Sequence, residues 1–373
     1  MGIAKEFFNY PHTDDVEISL FGTGGGYGES IVIKLPSSNW VIIDSCINPD
    51  TQNPLAIDYL QKIGVDLKQD VSLIVCTHWH QDHILGLSKT LNLCTEAKFC
   101  IPAVNDIKKF LQFVGLDYNK IKKGSISSTK EFKECLEIMA SRDSSIIRAS
   151  SNKVLLKEHP TLSSGSTITS EINALSPSET VVAAFDRELS VLMDNFRLST
   201  VAVPEKSANE KSVAVFVRCG NFSAILGADL EIGKNNREGW RDIENNCNVI
   251  SKKAMLYKVP HHGSSNAYDR NIFKNLVDDD AIIKLTPWNK KNKLPEPLMI
   301  SEYKTHTSKL YITSSIDVSY KAKKRDKSLG KIIKLFNIKL TEMKFREGII
   351  RTRFNCNEDR IASIETSGNA FQI

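Results

Sequence analysis

The stretch Cys76-Thr77-His78-Trp79-His80-Gln81-Asp82-His83 constrains this chain more than any other. It reads H-x-H-x-D-H, so three of the chain's eight histidines and an aspartate fall within six residues. A β-branched apolar run, Val71 to Cys76, precedes it. Ile84 to Leu91 follows, with apolar spacing that suits a helix. The cluster therefore sits where a strand ends and a helix begins, and a loop there turns alternate side chains toward one point. His78 and His80, two apart, can serve one metal, while Asp82 and His83, adjacent at the helix start, suit a second. Imidazole and carboxylate ligands together favour zinc or a neighbouring divalent ion, with manganese as the alternative.

Other stretches bear on the same chemistry. A strand, Trp40 to Cys46, carries Asp44 near its end. The glycine-rich loop Gly22 to Ser30 is followed by a second strand, Ile31 to Leu35, whereas a dinucleotide fingerprint needs a helix there. It is read as a tight turn between strands at the edge of the site. A hairpin built on Ser212–Arg218 and Phe222–Asp229 turns at Gly220-Asn221 and ends on Asp229. A further strand, Ala254 to Val259, runs into Pro260-His261-His262-Gly263-Ser264-Ser265, which puts two more imidazoles at a strand end.

The histidine cluster resembles the signature of the metallo-β-lactamase-fold hydrolases, and the other stretches occur in that family's order. The resemblance implies an α/β (α+β) fold, the αββα sandwich of two mixed sheets with helices outside and metals at one end. By the same resemblance Asp44 does not bind metal but holds the cluster's loop by hydrogen bonds. Asp229 is similar to the aspartate that bridges two ions. Two dications roughly 3.5–4 Å apart repel, and a shared anion offsets that. The His-His-Gly-Ser string resembles the hydrolase domain of the competence protein ComEC and related phosphodiesterases. That assigns His262 to metal and His261 to substrate. The implied metal ligands are His78, His80, Asp82, His83, Asp229 and His262. Asp82 also orients the attacking water, and His261 stabilises the transition state or assists the leaving group. Ser264 and Ser265 either donate to a phosphate oxygen or cap a short helix. Many family members complete the first site with a histidine in the interval before His261. His159 is the sole candidate there, competing with a plain surface role. H-x-H in place of H-x-E argues against the di-iron oxidoreductase branch and for hydrolysis.

With 373 residues, 41% hydrophobic and 25% charged, the chain has the composition of a globular protein. One domain spanning 1–373 is expected, because ligands spread from Asp44 to His262 must meet. A helical and loop insertion is placed at about 105–211, with Glu179 to Lys211 as an unpatterned connection, and a strand hairpin at about 345–373. No apolar run reaches membrane-span length, and the N-terminus lacks a signal-peptide core. The eight scattered cysteines form no C-x-x-C pair. Together these give a cytoplasmic expectation with reduced thiols and no membrane partner. A net charge of +5, the lysines between Asn105 and Asp143, and the basic run from Lys321 to Lys334 permit a nucleic-acid or other phosphodiester substrate. The leading expectation is a phosphodiesterase or nuclease using hydroxide generated on zinc, two ions per chain. One alternative is a hydrolase of a small ester, thioester, lactone or lactam. The other is a catalytically weak metal-binding module of a larger assembly.

Overall fold

The computed structural model describes residues 7–25, 27–105, 110, 128–142, 144–198, 208–290, 292–316, 335–336 and 347–373. In chain order the strands are β1 (Asp15–Gly22), β2 (Glu29–Lys34), β3 (Trp40–Ile43), β4 (Val71–Val75), β5 (Lys98–Pro102), β6 (Ile147–Ala149), β7 (Lys153–Glu158) and β8 (Ser170–Ala174). They continue with β9 (Val215–Cys219), β10 (Phe222–Leu226), β11 (Ala254–Lys258), β12 (Val277–Leu285), β13 (Leu310–Ile312), β14 (Gly348–Asn355), β15 (Arg360–Gly368) and β16 (Phe371–Gln372). The helices are α1 (Leu55–Lys62), α2 (Gln81–Ile84), α3 (Leu87–Leu93), α4 (Ser128–Ser141), α5 (Glu179–Leu198), α6 (Gly239–Asn246), α7 (Arg270–Leu276) and α8 (Pro297–His306).

The strands form two eight-stranded sheets, ordered β15-β14-β1-β2-β3-β4-β5-β6 and β16-β13-β12-β11-β10-β9-β8-β7. Both are mixed. Strands β3 to β6 run parallel in the first sheet, and β10 to β13 run parallel in the second. Side-chain alternation assigns the layers. Val16, Ile18 and Leu20 of β1, Val41 and Ile43 of β3, and Leu73 and Val75 of β4 point into one cluster with Val215, Val217, Ala224 and Leu256 of the other sheet. The opposite face of the first sheet packs Trp40 and Ile42 against Leu60 of α1, Leu91 of α3 and Phe132 of α4. The outer face of the second sheet packs Tyr257 against Trp240, Phe273 and Tyr303. Helix, sheet, sheet, helix is therefore the order of layers, as expected. With both faces covered, the central strands are buried along their whole length.

Three local expectations change. The helix after the metal motif is two, α2 and α3. Gly86 breaks it at φ 85°, a conformation glycine adopts freely, and a Cβ there would lie 2.7 Å from Ile47. The segment 105–211 contains helices but also supplies β6 to the first sheet and β7 and β8 to the second. β7 is largely solvent-exposed, so little apolar alternation marked it. Within Glu179–Lys211 the stretch Glu179–Leu198 is helical rather than unpatterned. It buries Val181, Val182, Phe185 and Leu189 along one face.

The C-terminal hairpin is β14 paired with β15, and β15 forms the edge of the first sheet. Lys130 and Lys133 lie on α4 and pair with Glu134 and Glu137 one turn along, as on a solvated face. Lys108, Lys109, Lys120, Lys122, Lys123 and the basic run 320–334 lie outside the described residues. All eight cysteines are free thiols. Burial pushes those of Cys94 and Cys100 up to about 12. Among the described residues, no helix is long and apolar enough to cross a membrane.

Candidate metal centre

Both sheets present the C-terminal ends of their parallel strands at one end of the sandwich, where open α/β sheets bind ligands. Asp44 follows β3, and the H-x-H-x-D-H loop follows β4 into α2. Asp229 follows β10, His261 and His262 follow β11, and Thr286 follows β12. Side chains as far apart as Asp44 and Thr286 in the sequence thus share one buried corner.

Three donor groups lie there: Asp44, His78 and His83 form one, in which Asp44 is hydrogen-bonded to His83 Nδ1, and the two others share Asp229. Asp82, His83, Asp229 and His262 are all buried, with ligand atoms mutually within 4.8 Å. His78, His80 and Asp229 form the other group under the same limit. Asp229 belongs to both. Its Oδ1 lies 3.2 Å from His83 Nε2, while its Oδ2 lies 3.7 Å from His78 Nε2 and 3.8 Å from His262 Nε2.

The imidazole tautomers are set from behind. Asp44 accepts from Thr77 N at 2.7 Å and Thr77 Oγ1 at 2.6 Å, and from His83 Nδ1 at 2.7 Å. Because Thr77 Oγ1 gives its proton to Asp44, it accepts at 3.0 Å from His78 Nδ1. His262 Nδ1 donates to the Thr286 carbonyl at 3.1 Å. In each ring the Nε2 lone pair is therefore left facing the carboxylates. Lone pair against carboxylate repels unless a cation stands between them.

The donor spacing tests that cation. His83 Nε2 is 3.6 Å from Asp82 Oδ2, His262 Nε2 is 3.0 Å from the same atom, and His78 Nε2 is 3.2 Å from His80 Nδ1. A tetrahedral ion with ligand bonds of about 2.1 Å has donors about 3.4 Å apart, at the centre of this spread. His83 Nε2 and Asp229 Oδ1, 3.2 Å apart and both buried, have no other hydrogen-bond partner among the described residues. The electrostatics agree. Burial disfavours charge on His83, but Asp229 and Asp82 outweigh it and raise its pKa well above the ordinary value. Burial likewise opposes charge on Asp229, yet His83 and His262 hold its carboxyl well below the usual range. His78, by contrast, is pushed well below the ordinary histidine value by burial and then by His83 and His80, so it is a neutral donor. The corner requires positive charge, and its donor set fits a divalent transition metal.

The remaining expected residues divide. Asp44 stands behind the donors as a hydrogen-bonding anchor. His261 lies outside both donor groups, with Nδ1 3.1 Å from Asn266 Oδ1 and Nε2 3.1 Å from Asn209 Nδ2. Ser264 lines the cleft over the metal corner. Ser265 is exposed and begins the short 3₁₀ turn Ser265–Ala267. His159 is not at the site. Strands β7, β8 and β9 alternate in direction down to β10, so β7 ends at the opposite end of the sheet. His159 is exposed there, and its Nδ1 lies 3.3 Å from Thr169 Oγ1. β8 does end on the site side, but its exit is Ser176-Pro177-Ser178, and Ser176 Oγ donates to Ser212 O at 2.6 Å. Among the described residues the first donor group therefore rests on His78, His80 and Asp229. The sequence reading missed Thr77 and Thr286 as relays and Asn209 beside His261. Only Thr77, inside the motif, carried any local signal.

The cleft holds about 780 Å³. Its floor is the metal corner, and Lys290, Lys293, Asn209 and Trp288 stand around it. The Trp288 ring lies 5.6 Å from that of His262, and Lys290 Nζ is 3.6 Å from the Tyr27 ring centre.

A family model described as the metallo-beta-lactamase superfamily matches residues 23–104. No curated protein matches the chain. Similar solved structures include the human tRNase Z, short form, at 10% identity and a TM-score of 0.35, covering 79% of this chain and 90% of that one. The metallo-beta-lactamase SMB-1 in complex with mercaptoacetic acid is similar at 14% identity and a TM-score of 0.32, covering 74% and 80%. Zn²⁺-bound PqqB from Methylobacterium extorquens is similar at 11% identity and a TM-score of 0.28, covering 61% and 58%. The family match spans β2 to β5, Asp44 and the whole H-x-H-x-D-H loop, and the two mixed sheets with helices outside form a layering consistent with the metallo-β-lactamase sandwich fold.

Proposed function

We propose that the chain is a metal-dependent phosphodiesterase, with nucleic acid as its favoured substrate. The observation that carries this reading is the buried quartet Asp82, His83, Asp229 and His262, joined through Asp229 to His78 and His80. These residues would hold two zinc ions. When bound, such ions polarise a phosphoryl oxygen and bring the pKa of water toward ~7. The protein's part is positional. Asp229 spans the two donor groups. Asp82, with Oδ2 3.0 Å from His262 Nε2 and 3.6 Å from His83 Nε2, also orients the attacking water. His261, on the cleft side, stabilises the charged transition state or assists the leaving group.

The cleft favours a phosphodiester over a small ester or lactam. Its walls mix Lys290, Lys293, Asn209, Asn292 and Ser264 with the carboxylates Glu231 and Glu296, and Trp288 and Leu294 are its apolar members. Lys290 and Lys293 beside a floor that would carry two dications suit a charged phosphate better than an apolar acyl group. The short donor set of the first group favours a second reading, a metal-stabilised module of low activity. The test is hydrolysis of bis(4-nitrophenyl) phosphate and of single-stranded DNA and RNA oligonucleotides, with and without chelator, alongside nitrocefin and a thioester. Chelator-sensitive phosphodiester cleavage that Asp229→Asn abolishes supports the proposal. Lactam or thioester turnover alone, or no turnover by a fully metallated chain, overturns it.

A further inference from the structure

A buried charge pair outside both donor groups touches the metal corner from behind. Glu29, the first residue of β2, and Lys258, the last of β11, belong to different sheets. Lys258 Nζ lies 2.5 Å from Glu29 Oε1, and both side chains are almost wholly buried. Each makes one further contact toward the site. Glu29 Oε2 accepts from Thr286 Oγ1. Thr286 in turn receives His262 Nδ1, on its carbonyl at 3.1 Å and within 3.3 Å of Oγ1. Lys258 Nζ donates at 3.0 Å to the carbonyl of Ala228, which also accepts from His261 N at 2.9 Å. Ala228 has φ 46° and immediately precedes Asp229.

The arrangement repeats, on the second sheet, what Asp44 and Thr77 do on the first. There a buried carboxylate takes a threonine hydroxyl proton, and the threonine oxygen takes the His78 Nδ1 proton. Here Glu29, Thr286 and His262 form the same sequence of carboxylate, threonine and imidazole. The difference is the counter-charge. Asp44 faces His83, while Glu29 faces Lys258, which also ties down the peptide leading into Asp229 and His261.

We infer that Glu29, Thr286 and Lys258 are positioning residues of the metal centre: Glu29 and Thr286 hold His262 in the tautomer that presents Nε2, and Lys258 holds the Ala228–Asp229 turn. A purely structural ion pair joining the two sheets would stabilise the fold and leave metal affinity alone. Positioning makes a different demand, because losing the carboxylate must weaken the ion held by His262 even when the fold is intact.

This inference rests on the two-ion reading above. The experiment is Zn²⁺ titration in competition with a chromophoric chelator, on the parent, Glu29→Gln and the double variant Glu29→Gln/Lys258→Met. Urea unfolding of metal-stripped protein runs alongside. The double variant removes both buried charges and so guards against simple misfolding. The expected result is that Glu29→Gln and the double variant each bind one ion as the parent does and the other about 10–100-fold more weakly. The double variant should unfold cooperatively near the parent's midpoint. Both ions at parental affinity in a folded double variant overturn the inference while leaving the two-ion reading intact. A parent that binds fewer than two ions overturns that reading and this inference with it.

Discussion

Replacing Asp44 with asparagine tests the hydrogen-bond logic of the centre with little change of shape. Asp44 sits at φ 57°, a left-handed conformation that asparagine also adopts, so the substitution adds no backbone strain. Its buried carboxylate accepts from three donors at 2.6–2.7 Å. Burial pushes the carboxyl pKa up, and the hydrogen bonds from His83 and Thr77 pull against that. An amide has one acceptor oxygen. If its NH₂ replaces Oδ1, it faces the fixed Thr77 amide N–H. If it replaces Oδ2, it faces His83 Nδ1–H, and His83 can relieve the conflict only by moving its proton to Nε2, which destroys the donor. One charge-assisted hydrogen bond is lost in the first case, at about 1.5–3 kcal/mol, and two in the second, because Oδ2 also takes the Thr77 Oγ1 proton, so the amide settles in the first. The remaining ones weaken with the charge, so a loss of about 2–4 kcal/mol in the metal-stripped protein is expected. Zinc affinity at the His83 site should fall about 10–100-fold, or about 1.4–2.7 kcal/mol. Urea unfolding with chelator present reads the first quantity, and chelator competition reads the second. A variant with parental stability and parental affinity for both ions would refute the reasoning, because Asp44 would then be a spectator.

Four further outcomes are expected. His261→Ala should keep both ions and lose about 10²–10⁴-fold in kcat for phosphodiester cleavage, measured at saturating metal. His159→Ala should leave metal content unchanged and stability within about 0.5 kcal/mol, since the ring is exposed at the far end of the sheet. Lys34 is buried beneath the carbonyls of His12, Thr13 and Asp15, and burial lowers its pKa to about 8. The unfolded chain keeps that proton until about pH 10.4, so between about 8 and 10.4 the unfolded state binds more protons and this group makes stability rise with pH, by up to ~3 kcal/mol. Lys34→Met should flatten that rise in urea titrations across the window. Gly348→Ala should destabilise by about 1–3 kcal/mol, because a Cβ there would lie 1.7 Å from the Thr313 carbonyl oxygen, and the midpoint of urea unfolding reports it.

Much of the centre was legible because its chemistry is contiguous. His78, His80, Asp82 and His83 lie within six residues, and His261-His262 ends a strand whose apolar run is plain. The choice between those two histidines needed the fold. His262 Nδ1 is held by Thr286, on the neighbouring strand's exit, and that leaves its Nε2 toward Asp82. Thr286 and Glu29 are 257 residues apart and sit on different sheets, so no local pattern joins them. The layering was implied by the resemblance of the ligand motifs and by strands alternating with helices; which side chains of β1, β3 and β4 face which layer is seen only in the packing, because these strands are buried on both faces. β7 escaped notice because it is a mostly exposed edge strand, and α5 because its apolar residues are interleaved with charge. His159 drew attention as the one imidazole in its interval, but strand direction decides which end of a sheet a residue occupies, and direction is not written in the interval itself.

The most direct test of the account is zinc content per chain, measured by elemental analysis on protein purified without chelator, for the parent and for Asp229→Asn. Asp229 spans both donor groups, so the account predicts two ions in the parent and the loss of at least one in the variant. One ion or none in the parent, unchanged by Asp229→Asn, would contradict it.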